Sequence, residues 1–179
     1  MEVQDKEQLI TAIGQQFDAF ADLIRQWPDA TFETMPEGKW SAGQQLDHLI
    51  RSVKPVNLAL RLPGWLLRVL FGKPNRASRT YAGLVEKYLQ KLNAGGVASG
   101  PFVPPAIPLA RKQPLLGVYN REAQRLMKIV NRWQDADLDH CLLPHPLLGK
   151  LTLREMLFFT IYHIGHHQRL LEQRVTPVV

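Results

Sequence analysis

Cysteine is nearly absent from this sequence. The one copy, Cys141, excludes an internal disulfide and any cysteine-rich zinc site. That suits a reducing compartment. The opening MEVQDKEQLI is polar and acidic and lacks the apolar stretch of a secretory signal, so a cytoplasmic protein is expected. Uninterrupted apolar runs are also missing. The most apolar stretch, residues 55–71, carries two arginines, two prolines and a glycine, which excludes a membrane span. Alternation of apolar and polar residues is not sustained anywhere, so no strands are expected. The net charge of +6 could steer an anionic small-molecule substrate. The basic residues are scattered, without a nucleic-acid motif, so no nucleic-acid partner is expected.

What is present is helical period. At 179 residues and 45% hydrophobic, the chain suits one domain, 1–179, with a real core. Five segments place apolar residues on one stripe. The first covers about 5–27, with Leu9, Ile13, Phe17, Phe20 and Ile24, and ends at Pro28. The second opens at Ser41, where Ser41 and Gln44 match a capping box, and carries Pro55 as a kink or break. The third and fourth cover about 78–93 and 112–134. The fifth starts at Thr152, where Thr152 and Glu155 form a second capping box, and runs to about Gln173. Long amphipathic helices in this number pack as an antiparallel four-helix bundle, an all-α fold.

Two connections are long. Residues 61–77 include a short helix around Trp65–Phe71, whose apolar side chains exceed what a crossover needs and could cover a homodimer partner or the site. Residues 94–111 hold four prolines and three glycines. Such a connection is either functional or a crossover over the bundle end.

Three of six histidines lie in Tyr162-His163-Ile164-Gly165-His166-His167. On a helix, His163 and His167 are one turn apart, with Cβ atoms about 5–6 Å from each other, so both imidazoles can reach one divalent metal. A zincin would have glutamate directly after the first histidine, and here Ile164 stands there, so peptidase chemistry is not implied. At about 100° per residue, His163 and His167 fall at the edge of the buried stripe, while His166 falls outward. Gly165 would allow close approach of a neighbouring helix or ligand, or be incidental. A third ligand is needed, and position leaves His48, His140 and His145 as candidates. His145 suits a structural hydrogen bond and His140 a solvated turn. Trp40 suits a staple onto the core. Cys141 suits a packed apolar residue rather than a nucleophile.

Three motifs in order carry a resemblance: Lys39-Trp40-Ser41-Ala42-Gly43-Gln44-Gln45-Leu46-Asp47-His48-Leu49, then His145-Pro146 through Arg154-Glu155, then Tyr162-His163 through His167. On these the chain resembles the DinB/YfiT-like superfamily, in its DinB-like four-helix-bundle branch. The resemblance implies a three-histidine metal site, one ligand on the second helix and two on the last. Residue by residue these are His48, His163 and His167, holding nickel or zinc. It assigns His48 against the helical wheel, which groups His48 with Gln44, Arg51 and Ser52, away from the apolar stripe. Relatives also imply a reaction: S-transfer from a low-molecular-weight thiol such as glutathione, mycothiol or bacillithiol. The alternatives are a metal-dependent hydrolase using metal-bound water and a non-catalytic metal- or ligand-binding bundle. No catalytic base can be named. Asp47 adjoins His48 but points about 100° away.

Overall fold

The computed structural model describes residues 5–35 and 38–175. Four long helices carry the architecture: α1 (Lys6–Gln26), α3 (Ala42–Ala59), α6 (Lys112–Arg132) and α7 (Leu153–Val175). A single turn, α2 (Asp29–Phe32), follows α1, while α4 (Gly64–Phe71) and α5 (Tyr81–Asn93) lie in the connection from α3 to α6. Helices α1 and α3 each pack against both α6 and α7, closing a four-membered ring, and α5 packs on α7 from outside. The ring is filled from the apolar stripes. Phe17 and Phe20 of α1 meet the ring of Tyr119 on α6 at 4.8 and 5.5 Å between centroids, and Leu46 and Leu49 of α3 are fully buried with them.

Both capping boxes form. Ser41 Oγ accepts from the Gln44 amide at 3.1 Å, and the Ser41 amide donates to Gln44 Oε1 at 3.0 Å. At α7 the Glu155 amide donates to Thr152 Oγ1 at 3.2 Å, and the Thr152 amide donates to Glu155 Oε2 at 3.0 Å. These fix where the two histidine-bearing helices begin. Pro55 does not break α3, which continues to Ala59. The proline is exposed, so the carbonyl it leaves unbonded can meet water.

The expectation of no strands needs correction. A hairpin of β1 (Leu142–His145) and β2 (Gly149–Thr152) leads into α7, pairing Leu142 with Thr152 and His145 with Gly149. Its turn is held by His145, whose Nδ1 accepts from the amides of Leu147 and Leu148, each at 3.1 Å. Gly149 sits at φ +76°, where a side chain would be strained. The hairpin buries Leu142, Leu143 and Leu151 under α7. No described helix is long and apolar enough to cross a membrane.

Candidate metal centre

The last helix supplies two side chains of the site. His163 and His167 lie one turn apart on α7 and are 6% exposed each. Gly165 between them faces α1. A Cβ there would stand 3.2 Å from Gln16 Oε1, so its absence lets α1 approach this turn closely. Of the two readings of Gly165, the structure supports close helix packing. The second helix supplies His48, 4% exposed. Helical period places His48 off the apolar stripe, and the structure explains the disagreement. From Ala42 to Ile50, α3 is buried on every side. Its apolar face meets the bundle, and its polar face meets the 94–111 connection. Phe102, Pro104 and Pro101 of that connection offer carbonyls to His48, Gln44 and Arg51 at 2.7, 3.3 and 3.2 Å. The long connection is thus a wall of the site.

His48, His163 and His167 converge, each with a ligand atom within 4.8 Å of the others. His48 Nε2 lies 3.1 Å and His167 Nε2 2.9 Å from His163 Nε2. Nitrogens bound at about 2.0–2.1 Å to one centre must lie within roughly 4.2 Å of each other, and both distances satisfy this.

Hydrogen bonding decides which nitrogens face inward. His48 Nδ1–H donates to the Phe102 carbonyl, and His167 Nδ1–H donates to Gln45 Oε1. Both Nε2 atoms of neutral rings therefore point at His163 as lone pairs. Burial is the main reason the rings stay neutral. It lowers the pKa of His48, where the Phe102 hydrogen bond and Asp47 oppose it only in part. It lowers those of His163 and His167 further, and the neighbouring histidines add to the effect. His163 can carry one proton on Nε2 and satisfy one neighbour. The other neighbour's lone pair would then face the same nitrogen with no N–H to accept from. A shared cation resolves both contacts, so the donor set fits a divalent metal with imidazole ligands.

Trp40 is placed otherwise than as a core staple. Half-buried, its ring packs on His48 at 4.8 Å and stacks over His167 at 6.3 Å between centroids. The cluster lies in a cavity of about 630 Å³ that Trp40, Tyr88, Val97, Phe102 and Phe159 help to line. Among the described residues no aspartate or glutamate lines it. Burial, with Tyr162, pushes the Tyr88 phenol up to about 12, so it stays protonated. His166 is half-buried at the rim, and its ring lies 5.4 Å from that of His167. It is outside the three-histidine cluster.

His140 and His145 are outside the three-histidine cluster, although His145 lines the same cavity. His140 is exposed after a polar turn, and His145 spends Nδ1 on its own hairpin. Cys141 is buried against the Gly64 carbonyl and the Arg68 guanidinium. A larger cleft of about 1330 Å³ lies near the start of α7. Its guanidinium groups are mostly consumed by carboxylates: Arg76 and Arg79 by Glu155, and Arg154 by Asp135 and Asp139.

Position in the sequence misses Gln45 and Phe102, which orient the rings of the candidate ligands His167 and His48. The signal for Gln45 is three-residue spacing from His48, which puts both on one face of α3. The Phe102 contact comes from a backbone carbonyl and has no side-chain signature. Compared with known proteins, residues 12–171 match a family model described as the DinB superfamily. No curated protein and no solved structure matches the chain significantly.

Proposed function

The chain belongs to the DinB superfamily, and from that premise we propose that it is a metal-dependent enzyme transferring a low-molecular-weight thiol to an electrophile. His48, His163 and His167 would hold one divalent ion, nickel or zinc. The observation that carries this reading is the convergence of three buried, neutral imidazoles on the floor of an open cavity. Three protein ligands leave a coordination position free, which suits catalysis rather than a purely structural role. When bound, a divalent ion supplies Lewis acidity, lowering the pKa of a thiol or water beside it.

The chain's own residues do the rest. Gln45 and the Phe102 carbonyl hold the rings in the tautomer that offers Nε2. Trp40 covers one side of the cluster, and the apolar walls limit water. With no carboxylate among the described lining residues, the cavity favours a nucleophile that needs no carboxylate base. A thiol meets that need better than water does. One observation favours a second reading, a metal-dependent hydrolase. His166 lines the same cavity, and burial, then Arg169 and His48, lower its pKa. A neutral imidazole there could accept a proton from water.

The test is a conjugation screen on zinc- or nickel-loaded protein. Glutathione, mycothiol and bacillithiol are each paired with a panel of electrophiles and, separately, esters without thiol, with products read by mass spectrometry. Thioether products that disappear in His163→Ala support the transferase. Ester cleavage without thiol, lost in His166→Ala, supports the hydrolase. Loaded protein inert in both arms would support the non-catalytic binder and overturn the proposal.

A further inference from the structure

Arg174 lies eleven residues after His163 and seven after His167 on α7, so it shares their face, two turns beyond His167. Two turns place its Cα about 10 Å further along the axis. Its Nη1 donates to the Trp40 carbonyl at 2.6 Å. That is the same tryptophan whose ring covers His48 and His167. Arg174 therefore lines the histidine cavity at its far end, as does Lys39.

Among the described residues the guanidinium lacks the partner that its setting demands. Its Nε is buried without a hydrogen bond. No ion pair to it is found among the described residues, and no carboxylate of theirs lines the cavity. Partial burial lowers its pKa. A basic residue in the last turn of a helix is ordinarily there to face the helix dipole. That role explains the charge, but leaves the buried Nε–H unsatisfied, which is costly.

We infer that Arg174 is the anion-binding end of the cavity, so that the molecule taken by the site carries a carboxylate or similar anion remote from the atom it presents to the histidines. The inference rests on the proposed function for the identity of the reactive end, and on Arg174 alone for the anion. The ligand class is a small organic acid spanning on the order of 6–10 Å from reactive atom to carboxylate. A carboxylate would accept from the Nη–H donors that the Trp40 carbonyl leaves free, a charge-assisted hydrogen bond that the neighbouring Nε–H would sense.

Two arms test it. In metal-free protein, hexanoate and hexanol are titrated while the Arg174 Nε–H resonance is followed by NMR, assigned by its loss in Arg174→Lys. The expected result is a saturable shift with hexanoate and none with hexanol. Equal response to both, or to neither, would overturn the inference. In cobalt-loaded protein, 6-mercaptohexanoate and 6-mercaptohexanol are compared through thiolate-to-metal absorption. The acid should bind at least about tenfold tighter, the factor for one charge-assisted hydrogen bond. Arg174→Gln should remove that preference without changing metal content. Thiols that bind without acid preference would sink the Arg174 assignment while leaving the thiol reading intact. A hexanoate shift without thiol binding would sink the thiol reading and leave Arg174 standing.

Discussion

Gln45 and the Phe102 carbonyl matter because an imidazole offers a metal only the nitrogen its other hydrogen bond leaves free. Gln45→Leu keeps the bulk but removes the acceptor at His167 Nδ1. Divalent metal affinity should fall about 10–100-fold by competitive chelator titration, with helicity unchanged. Protonation gives a second expectation. His145 is lowered to about 4, by burial and then by Lys87. An unfolded histidine takes up its proton near 6.5, which the folded hairpin refuses until about 4. The folded pKa is depressed, so the stability is present above 6.5 and is lost as pH falls toward 4. Metal-free protein should lose about 3 kcal/mol over that window from this residue. Chemical denaturation of wild type and His145→Asn at each pH checks it, the variant showing the smaller loss. At this scale His163 and His167 were legible from their spacing. His48 was not, because period reports one buried face and α3 has two.

Helix α7 is anchored at its start by Glu155, whose carboxylate is fully buried. Arg76 meets it in a fork at 2.7 and 2.8 Å, and the Arg79 and Thr152 amides donate at 2.8 and 3.0 Å. Burial pushes this carboxyl up, and those hydrogen bonds outweigh it, so its pKa ends below the ordinary value. Glu155→Gln should cost about 3 kcal/mol, the low end for breaking a buried pair, because Arg76 keeps 34% of its side chain in water. Urea melts check the figure, and a loss under about 1 kcal/mol would show that water replaces the pair easily. The helix starts were legible because both capping boxes are local chemistry. The hairpin before α7 was not. Its strands have four residues each, and Pro144 interrupts the first, so neither gives an alternating pattern. The role of the 94–111 connection was also hidden, since it is set by the backbone carbonyls of Pro101, Phe102 and Pro104.

At the scale of the molecule, α4 presents Trp65, Val69 and Leu70 at 62%, 74% and 55% exposure. We propose that this face joins two copies of the chain. Sedimentation at micromolar concentration should give the dimer mass, and Trp65→Glu the monomer mass. A monomeric wild type would leave the face merely exposed. The bundle was legible as a whole because four long stripes must bury each other. The central claim is that His48 on one helix and His163 and His167 on another hold a single ion. Such an ion would tie two helices of the ring together, so its loss should also lower stability. The most direct measurement is metal content by elemental analysis after refolding in trace nickel or zinc. Wild type and His166→Ala should hold about one equivalent, and His48→Ala and His163→Ala far less, as for lost ligands. Equal retention in all four proteins would contradict the account and place the metal elsewhere.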